Sequence, residues 1–451
     1  MRTVSLHDTR TGEIRAVEPE VDSRVRIYAC GPTVYGRVHV GNARPFVVFS
    51  LLKRFLVREG YDVDFVANIT DVNDKIYAAA LAAGTASDQL AREMTAAYVA
   101  DTDALGLGRP DHEPLASATI DPIIELIERL VEKEHAYAVE GDVYFSVRSY
   151  PGYGELSHRD VDDMDQGEPR EGAQRKRDPL DFALWKGRKA DEDTCWESPW
   201  GPGRPGWHIE CSAMAESLLG TGFEIHGGGS DLLFPHHENE AAQTRAARGA
   251  QLARLWVHVG MIRLDSDTMS KSTGNVFGLR EALARYGRDR LLMYFCGTHY
   301  RTPVEFDDRR LADAEAKCDR IREAARSMVD GPSPRWSAPM RDRFLDVLAA
   351  DFNLPRALGV VFDWVRQANR SDSRTVGDGD LRSMLDVLGL ANLLDRDQTP
   401  APAQARELLQ ARERARAERD FATADRIRAE LRTLGWEVRD GPSGPELLPI
   451  R

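Results

Sequence analysis

The chain has 451 residues, 42% of them hydrophobic and 29% charged, with a formal net charge of −13. That length predicts two to four cores rather than one, and the composition is that of a globular protein, not a disordered or fibrous one. The acidic balance argues against indiscriminate nucleic-acid binding but leaves room for a local basic face, and the lack of any membrane-length apolar run or signal-peptide pattern predicts a cytoplasmic protein with no membrane partner.

In chain order, Val25–Ala29 reads as a buried strand. Gly41–Glu59 follows with Phe46, Phe49, Leu52, Phe55 and Leu56 at helical spacing, and Gly60 is placed to close the helix. Val63, Phe65 and Val66 supply the next strand, so the order is βαβ, which implies parallel pairing through a crossover helix. The polar segment Asn68–Lys75 leaves that strand at its carboxyl end, where open α/β sheets place ligands. An alanine-rich helical pattern fills 76–103, and 120–133 is an amphipathic helix. Asp142–Val147 reads as a strand, and 149–178 as a charged, mobile loop or insertion. The aromatic, glycine-rich stretch 181–240 suggests loops around a site. Trp256–Ile262 is expected to be a strand, Ser270–Val276 a polar loop and Leu279–Tyr294 a helix. From Leu311 onward helical patterns dominate, at 341–369, 380–394 and the arginine-rich 405–434.

Three constellations carry potential chemistry. His236 and Glu240 are four apart, so on a helix they face the same way, and Cys30 and Cys211 sit in what read as loops. Two thiolates, an imidazole and a carboxylate suit zinc. Spacing alone favours the plainer view that the two cysteines are small buried hydrophobes, and it leaves His237 and Glu238 as further candidates. In H-V-G-N (39–42), His39 and Asn42 occupy the start of a helix, where unpaired amides and the dipole favour anions, and Gly41 allows a close backbone approach. In T-M-S-K-S-T-G-N (268–275), Lys271 lies between Ser270 and Ser272 and could neutralise charge on a transferring phosphate. H-G-G-G-S-D (226–231), with Gly228 at its centre, could cradle phosphate or ribose, or could simply be a tight turn.

Taken together these segments are far more specific than their parts. H-V-G-N after a first strand and M-S-K-S about 230 residues later resemble the two signatures of class I aminoacyl-tRNA synthetases. The segments at 28–35, 68–75, 178–186, 203–214, 226–240, 298–304, 351–358 and 420–428 resemble the cysteinyl-tRNA synthetase family, in order and along nearly the whole chain. The resemblance implies an α/β Rossmann-type class I catalytic domain with a connective insertion, followed by an α-helical C-terminal region. The implied boundaries are a first catalytic half at 1–114, the insertion at 115–200, a second half at 201–295, a stem-contact segment at 296–335, a helical bundle at 336–400 and an anticodon-binding region at 401–451.

The resemblance also implies roles. Cys30, Cys211, His236 and Glu240 match the family's zinc ligands, one zinc per chain. His39, Gly41 and Asn42 form its first ATP signature, Met269, Ser270, Lys271 and Ser272 lie in its second, and Gly228 joins them at the nucleotide site, with His39, Asn42 and Lys271 catalytic. Cys30, Thr70, Trp207, Asp231 and His236 line its amino-acid pocket. The implied partners are L-cysteine, ATP with Mg²⁺ and tRNA(Cys), and a monomer is expected. The implied reaction forms cysteinyl-adenylate and pyrophosphate, then cysteinyl-tRNA and AMP. Zinc would distinguish a thiol from serine's hydroxyl, a separation that an apolar pocket makes poorly.

Departures from the family pattern are visible. Thr268 stands where the second signature usually begins with lysine, which implies slower adenylation unless Lys271 alone suffices or Arg263 compensates. Asn42 stands where the general class I signature has histidine, a familiar variant of this family. The end, 441–451, lacks the family's usual aromatic ending. Trp436 is a candidate for stacking on tRNA, and Phe421, Ala424, Ile427, Leu431 and Leu434 are expected to form an apolar helix face. Two other functions share parts of this pattern: a ligase joining cysteine to an amino sugar, and a tRNA-binding paralogue with weakened catalysis.

Overall fold

The computed structural model describes residues 1–164, 173–264, 267–268, 276–371, 376–395, 402–441 and 444–449. Residues 1–393 and 394–451 form two units.

In the first unit, β1 (Ser5–Asp8) and β2 (Glu13–Ala16) make an antiparallel hairpin. β3 (Arg24–Ala29) leads to helix α1 (Val40–Glu59), which returns to β4 (Asp62–Ala67). β3 and β4 pair in parallel, with Ile27 opposite Phe65, so the expected βαβ unit forms. The carboxyl ends of both strands therefore open on one side. The 76–103 pattern splits into α2 (Asp74–Ala83) and α3 (Ser87–Asp103), because Gly84 turns left-handed at φ +67°.

Helix α4 (Ile120–Glu132) precedes an antiparallel sheet ordered β5 (Ala136–Val139), β6 (Asp142–Phe145), β7 (Phe182–Gly187), β8 (Gly203–Pro205). Ile123, Leu126, Ile127 and Leu130 of α4 pack with Phe145, Phe182 and Trp185 in one core. The start of the supposed mobile loop is not loose: Tyr153 and Leu156 are buried.

The 181–240 stretch is more regular than its glycine content suggested. It holds β7, β8, α5 (Trp207–Leu219), β9 (Phe223–Gly229) and the start of α6 (Glu238–Arg248). β10 (Ala253–Val259) completes a parallel sheet in the order β10-β9-β3-β4. Strand β9 must be glycine-rich where α1 crosses it: a Cβ on Gly227 would stand 2.2 Å from Phe49 Cζ. The expected strand at 256–262 is broken at Gly260, after which β11 (Ile262–Leu264) pairs with β12 (Asp267–Thr268) and, in parallel, with β13 (Val304–Glu305). Helix 279–294 is likewise two helices, α7 (Leu279–Tyr286) and α8 (Arg288–Cys296), divided at Gly287.

Helices α9 (Asp308–Ala325), α10 (Ala338–Ala349), α11 (Leu354–Arg370) and α12 (Gly379–Val387) complete the first unit, with β14 (Met328–Val329) paired to β15 (Val376–Gly377). In the second unit, α13 (Ala403–Ala417) and α14 (Phe421–Thr433) precede a hairpin of β16 (Trp436–Gly441) and β17 (Gly444–Pro449). The helical region expected at 405–434 divides at Arg419, which has φ +63°. Two expectations fail here. Phe421 is 62% exposed, and Leu434 is also exposed, so only Ala424, Ile427 and Leu431 face inward. Trp436 is 7% exposed and packs with Ala405, Ile427, Leu431 and Val438, so it is a core residue and not a platform for a base. An indole that buries most of its surface contributes more to a small core than any neighbour can.

Candidate active site

The carboxyl ends of β3, β4 and β9 converge on a buried cluster of ligand-type side chains. Cys30 is the first residue beyond β3, and its N–H donates to the Gly227 carbonyl at 2.9 Å. Cys211 is not in a loop but on α5, in a helix buried along most of its length. His236 lies in an irregular turn just before α6, and Glu240 in the first turn of α6. The expected four-residue pairing holds across that junction: His236 Nε2 is 3.0 Å from Glu240 Oε1. Cys30 Sγ is 3.6 Å from His236 Nε2 and 3.5 Å from Glu240 Oε1.

Two overlapping quartets can hold a metal ion: Cys30, Cys211, His236 and Glu240, or Cys30, His226, His237 and Glu240, the ligand atoms of each set lying within 4.8 Å of one another. Glu240 decides between them, because its second oxygen is taken at 2.8 Å by His226 Nε2. His226 thus sits as the outer partner that fixes the carboxylate, as second-layer groups do around metal ligands. His236 has its own outer partner, with Nδ1 2.9 Å from Nδ1 of His208, and the Trp207 ring stacks on it at 4.5 Å. The first quartet also has the softer donor set, which suits zinc.

The electrostatics fit a cation. Burial pushes the Cys30 thiol well above its ordinary pKa, and Cys211 and Glu240 add to the rise. A hydrogen bond with Cys30 pulls Cys211 down, but burial leaves it raised overall. Burial, with His208 and His226 nearby, holds His236 well below the ordinary histidine value. A divalent ion among these groups reverses the thiol shifts by stabilising thiolate, while the neutral imidazole is already in its ligating form.

The cluster is rich in histidine, and His208 and His258 are members that spacing did not single out. His208, His226, His236, His237 and His258 are five of the chain's eleven histidines. His237 Nδ1 meets His258 Nε2 at 2.8 Å, and His258 Nδ1 meets Thr9 Oγ1 at 2.7 Å. Histidines inside apolar strands, such as His258 in W-V-H-V, were the available signal.

Of the expected amino-acid pocket residues, Trp207 touches the cluster through His236, and Thr70 and Asp231 lie beyond the carboxyl ends of β4 and β9. The loop after Cys30 pairs with the loop after β4: Gly31 N–H donates to Asn68 Oδ1 at 2.9 Å, and Thr70 N–H to the Pro32 carbonyl at 3.1 Å. Thr70 is buried, and its Oγ1 accepts from Asn68 Nδ2 at 3.2 Å. Asp231 is exposed just beyond the end of β9. Gly228 is buried inside β9, where a Cβ would meet Leu232 and His237.

The Cys30 loop ends in a capping box. His39 Nδ1 accepts from Asn42 N–H, and Asn42 Oδ1 accepts from His39 N–H, each at 3.3 Å. Gly41 lies within this turn, half-buried, while Asn42 is exposed. With Nδ1 accepting, the neutral imidazole carries its proton on Nε2, and Asn42 keeps its amide N–H₂ for another acceptor. Met269, Ser270, Lys271 and Ser272 lie outside the described residues. Both flanks of that segment are placed, however. β12 ends at Thr268, and Val40 N–H donates to the Phe277 carbonyl while Leu279 N–H donates to Val38, at 3.0 Å each. The segment that follows the second signature is thus stitched to the first. A cavity of about 390 Å³ opens beside the seam, with Arg37 and Arg280 in its wall.

Comparison with known proteins fits this geometry. Residues 16–316 match the family model for the class I (C) tRNA synthetase catalytic domain, and residues 399–444 match that for the cysteinyl-tRNA ligase anticodon binding domain. The chain is 44% identical to the cysteine–tRNA ligase of Pseudothermotoga lettingae over 98% of both chains, and 41% identical to that of Cupriavidus taiwanensis over 98% of both. Its fold is similar to that of Mycobacterium tuberculosis methionyl-tRNA synthetase in complex with methionyl-adenylate (TM-score 0.58, 17% identity, 89% of this chain and 96% of that one). It also resembles the LeuRS in a ternary complex from Agrobacterium radiobacter K84 (TM-score 0.61, 10% identity, 84% of this chain and 85% of that one).

Proposed function

The chain belongs to the cysteinyl-tRNA synthetase family of class I aminoacyl-tRNA synthetases, and from that premise we propose that it activates L-cysteine with ATP and transfers it to tRNA(Cys). One observation carries the proposal. The buried Cys30, Cys211, His236 and Glu240 cluster stands at one end of the loop after β3, and the His39–Asn42 capping box stands at the other. A thiol-selective pocket and an anion-accepting helix start are thereby held by one segment.

In this reading Cys30, Cys211, His236 and Glu240 hold zinc, which when bound favours a thiolate over the hydroxyl of serine. Thr70, Trp207 and Asp231 form the walls that orient the rest of the amino acid. His39 Nε2–H and the Asn42 amide donate to ATP phosphate oxygens as the cysteine carboxylate attacks the α-phosphorus. Gly41 keeps the backbone clear for that approach, and Lys271 in the second signature neutralises charge as pyrophosphate leaves. Charge stabilisation by fixed donors is the main contribution the protein makes to such a step. The terminal ribose hydroxyl of tRNA then attacks the activated carbonyl, and AMP departs. The segment from 401 onward reads the anticodon region, and Mg²⁺ accompanies ATP. No helix among the described residues is long and apolar enough to cross a membrane.

Transfer of labelled cysteine to tRNA, run beside transfer to an amino sugar, tests the proposal. Cysteine-dependent pyrophosphate exchange with transfer to tRNA supports it. Exchange with transfer only to the sugar, or no exchange at all, overturns it.

A further inference from the structure

Strand β11 carries the chain from the parallel sheet toward the second signature, and three separate parts of the first unit meet at its base. From α1, the buried Arg44 donates to the carbonyls of Gly260 at 2.5 Å, Met261 at 3.4 Å and His299 at 3.1 Å. From the 298–304 loop, the Tyr300 carbonyl accepts from Gly260 N–H at 2.8 Å, and Val304 N–H donates to the Met261 carbonyl at 3.0 Å. This approach is so close that a Cβ on Gly260 would stand 2.7 Å from the Arg301 carbonyl oxygen.

The third part is the turn between α10 and α11. There the Asp351 carboxylate accepts from the Tyr300 hydroxyl at 2.7 Å, from Arg301 Nε at 3.1 Å and from the backbone N–H of His7 at 2.9 Å. His299 Nε2 stands 3.6 Å away. One carboxylate thus gathers three consecutive residues of the loop that frames β11.

The turn is held in a costly shape. Asp351 and Phe352 have φ of +59° and +43°, which non-glycine residues adopt only where their surroundings impose it. Phe352 is buried against Phe55 of α1, with ring centroids 6.0 Å apart, and Asp351 N–H donates to the Ser5 carbonyl at 2.9 Å. A strained turn that places one carboxylate on a neighbouring frame is a device for fixing that frame.

We propose that Asp351 is a positioning residue for ATP activation. Through Tyr300 and Arg301 it seats β11, from which the sequence runs on through β12 into the second signature. The inference rests on the proposed function, which gives that loop to ATP. The thiol cluster is held instead by the β3 loop, α5 and α6, so cysteine binding does not share this support.

The test compares full-length wild type with Asp351→Asn and Arg301→Gln in cysteine-dependent pyrophosphate exchange, with zinc content and thermal unfolding measured on the same samples. Asp351→Asn keeps an acceptor for Tyr300 and His7 and removes only the charge. Its KM for ATP is expected to rise about tenfold, with zinc content and KM for cysteine within about twofold of wild type. Arg301→Gln leaves the turn intact and covers the case in which Asp351→Asn does not fold. It is expected to shift the KM for ATP in the same direction by about threefold. An unchanged KM for ATP in the folded variants, or equal shifts in both KM values, overturns the inference while leaving the proposed function standing. Absence of exchange in the wild type overturns the proposed function and takes this inference with it.

Discussion

His39 and Asn42 cap one another: the imidazole Nδ1 accepts the Asn42 N–H and the amide oxygen accepts the His39 N–H, both at 3.3 Å. The same contacts that start α1 use neither the imidazole Nε2 nor the Asn42 amide nitrogen, so the cap and the proposed catalytic role can be separated. Asn42→Ala should lose about 1 kcal/mol of stability as well as activity. Asn42→Asp keeps the capping oxygen, and an acid at a helix start is tolerated. It should therefore melt like wild type and yet slow pyrophosphate exchange by about a hundredfold, because a donor becomes a negative charge facing phosphate. Thermal unfolding and exchange on both variants check this, and full exchange in Asn42→Asp would remove Asn42 from the ATP site.

Arg263 stands directly opposite Thr268 in the backbone register of the β11–β12 pair. Arg263 is exposed. It is therefore placed to supply the charge that Thr268 lacks. Arg263→Ala should slow exchange about tenfold in the native background and much less in a Thr268→Lys background. Equal losses in both backgrounds would mean that Arg263 acts elsewhere.

Much of this arrangement was legible in the sequence, and the remainder was hidden for physical reasons. Periodicity located α1 and its flanking strands because one helix face and two strands are nearly all apolar. It ran α7 into α8 and α13 into α14, because hydrophobic period does not register a single left-handed residue such as Gly287 or Arg419. Spacing could pair His236 with Glu240, which are four apart, but not with Cys30, which is 206 residues away from His236. That contact is made by the parallel order β9-β3, which no local pattern encodes. The outer partners His208 and His226 were missed because a buried histidine looks like any other until its neighbours are known. Trp436 was misplaced for the converse reason: an indole suits a core and a stacking surface equally well.

Trp436→Ala should cost the 394–451 unit about 3–5 kcal/mol, as truncation of a buried aromatic does, whereas Trp436→Phe should be far milder. Urea unfolding followed by circular dichroism measures the difference. A stable Trp436→Ala protein with selectively weakened tRNA binding would restore the stacking role.

The buried histidines should make the protein sensitive to mild acid. Burial, with His226 nearby, lowers the pKa of His258 to about 3. The unfolded chain takes up this proton as pH falls below about 6.5, and the folded chain does not until about pH 3. Stability is therefore fully present above about pH 6.5 and is lost as pH falls across that window, by up to about 1.4 kcal/mol per pH unit for one such group. Urea midpoints at pH 7.5, 6 and 5 should fall in order, and His258→Gln should fall less steeply. An identical slope in His258→Gln would assign the acid sensitivity to other groups.

The measurement that bears most directly on the proposed thiol-selective centre is the ratio of cysteine-dependent to serine-dependent pyrophosphate exchange, taken with zinc content before and after chelation and in Cys30→Ser. The predicted result is about one zinc per chain in the wild type, loss of cysteine preference when the metal is stripped, and its return when zinc is restored. Cys30→Ser should show low zinc content and weak cysteine binding with ATP binding retained. A metal-free enzyme that still prefers cysteine to serine, or a Cys30→Ser enzyme with full zinc and full cysteine affinity, would contradict the account.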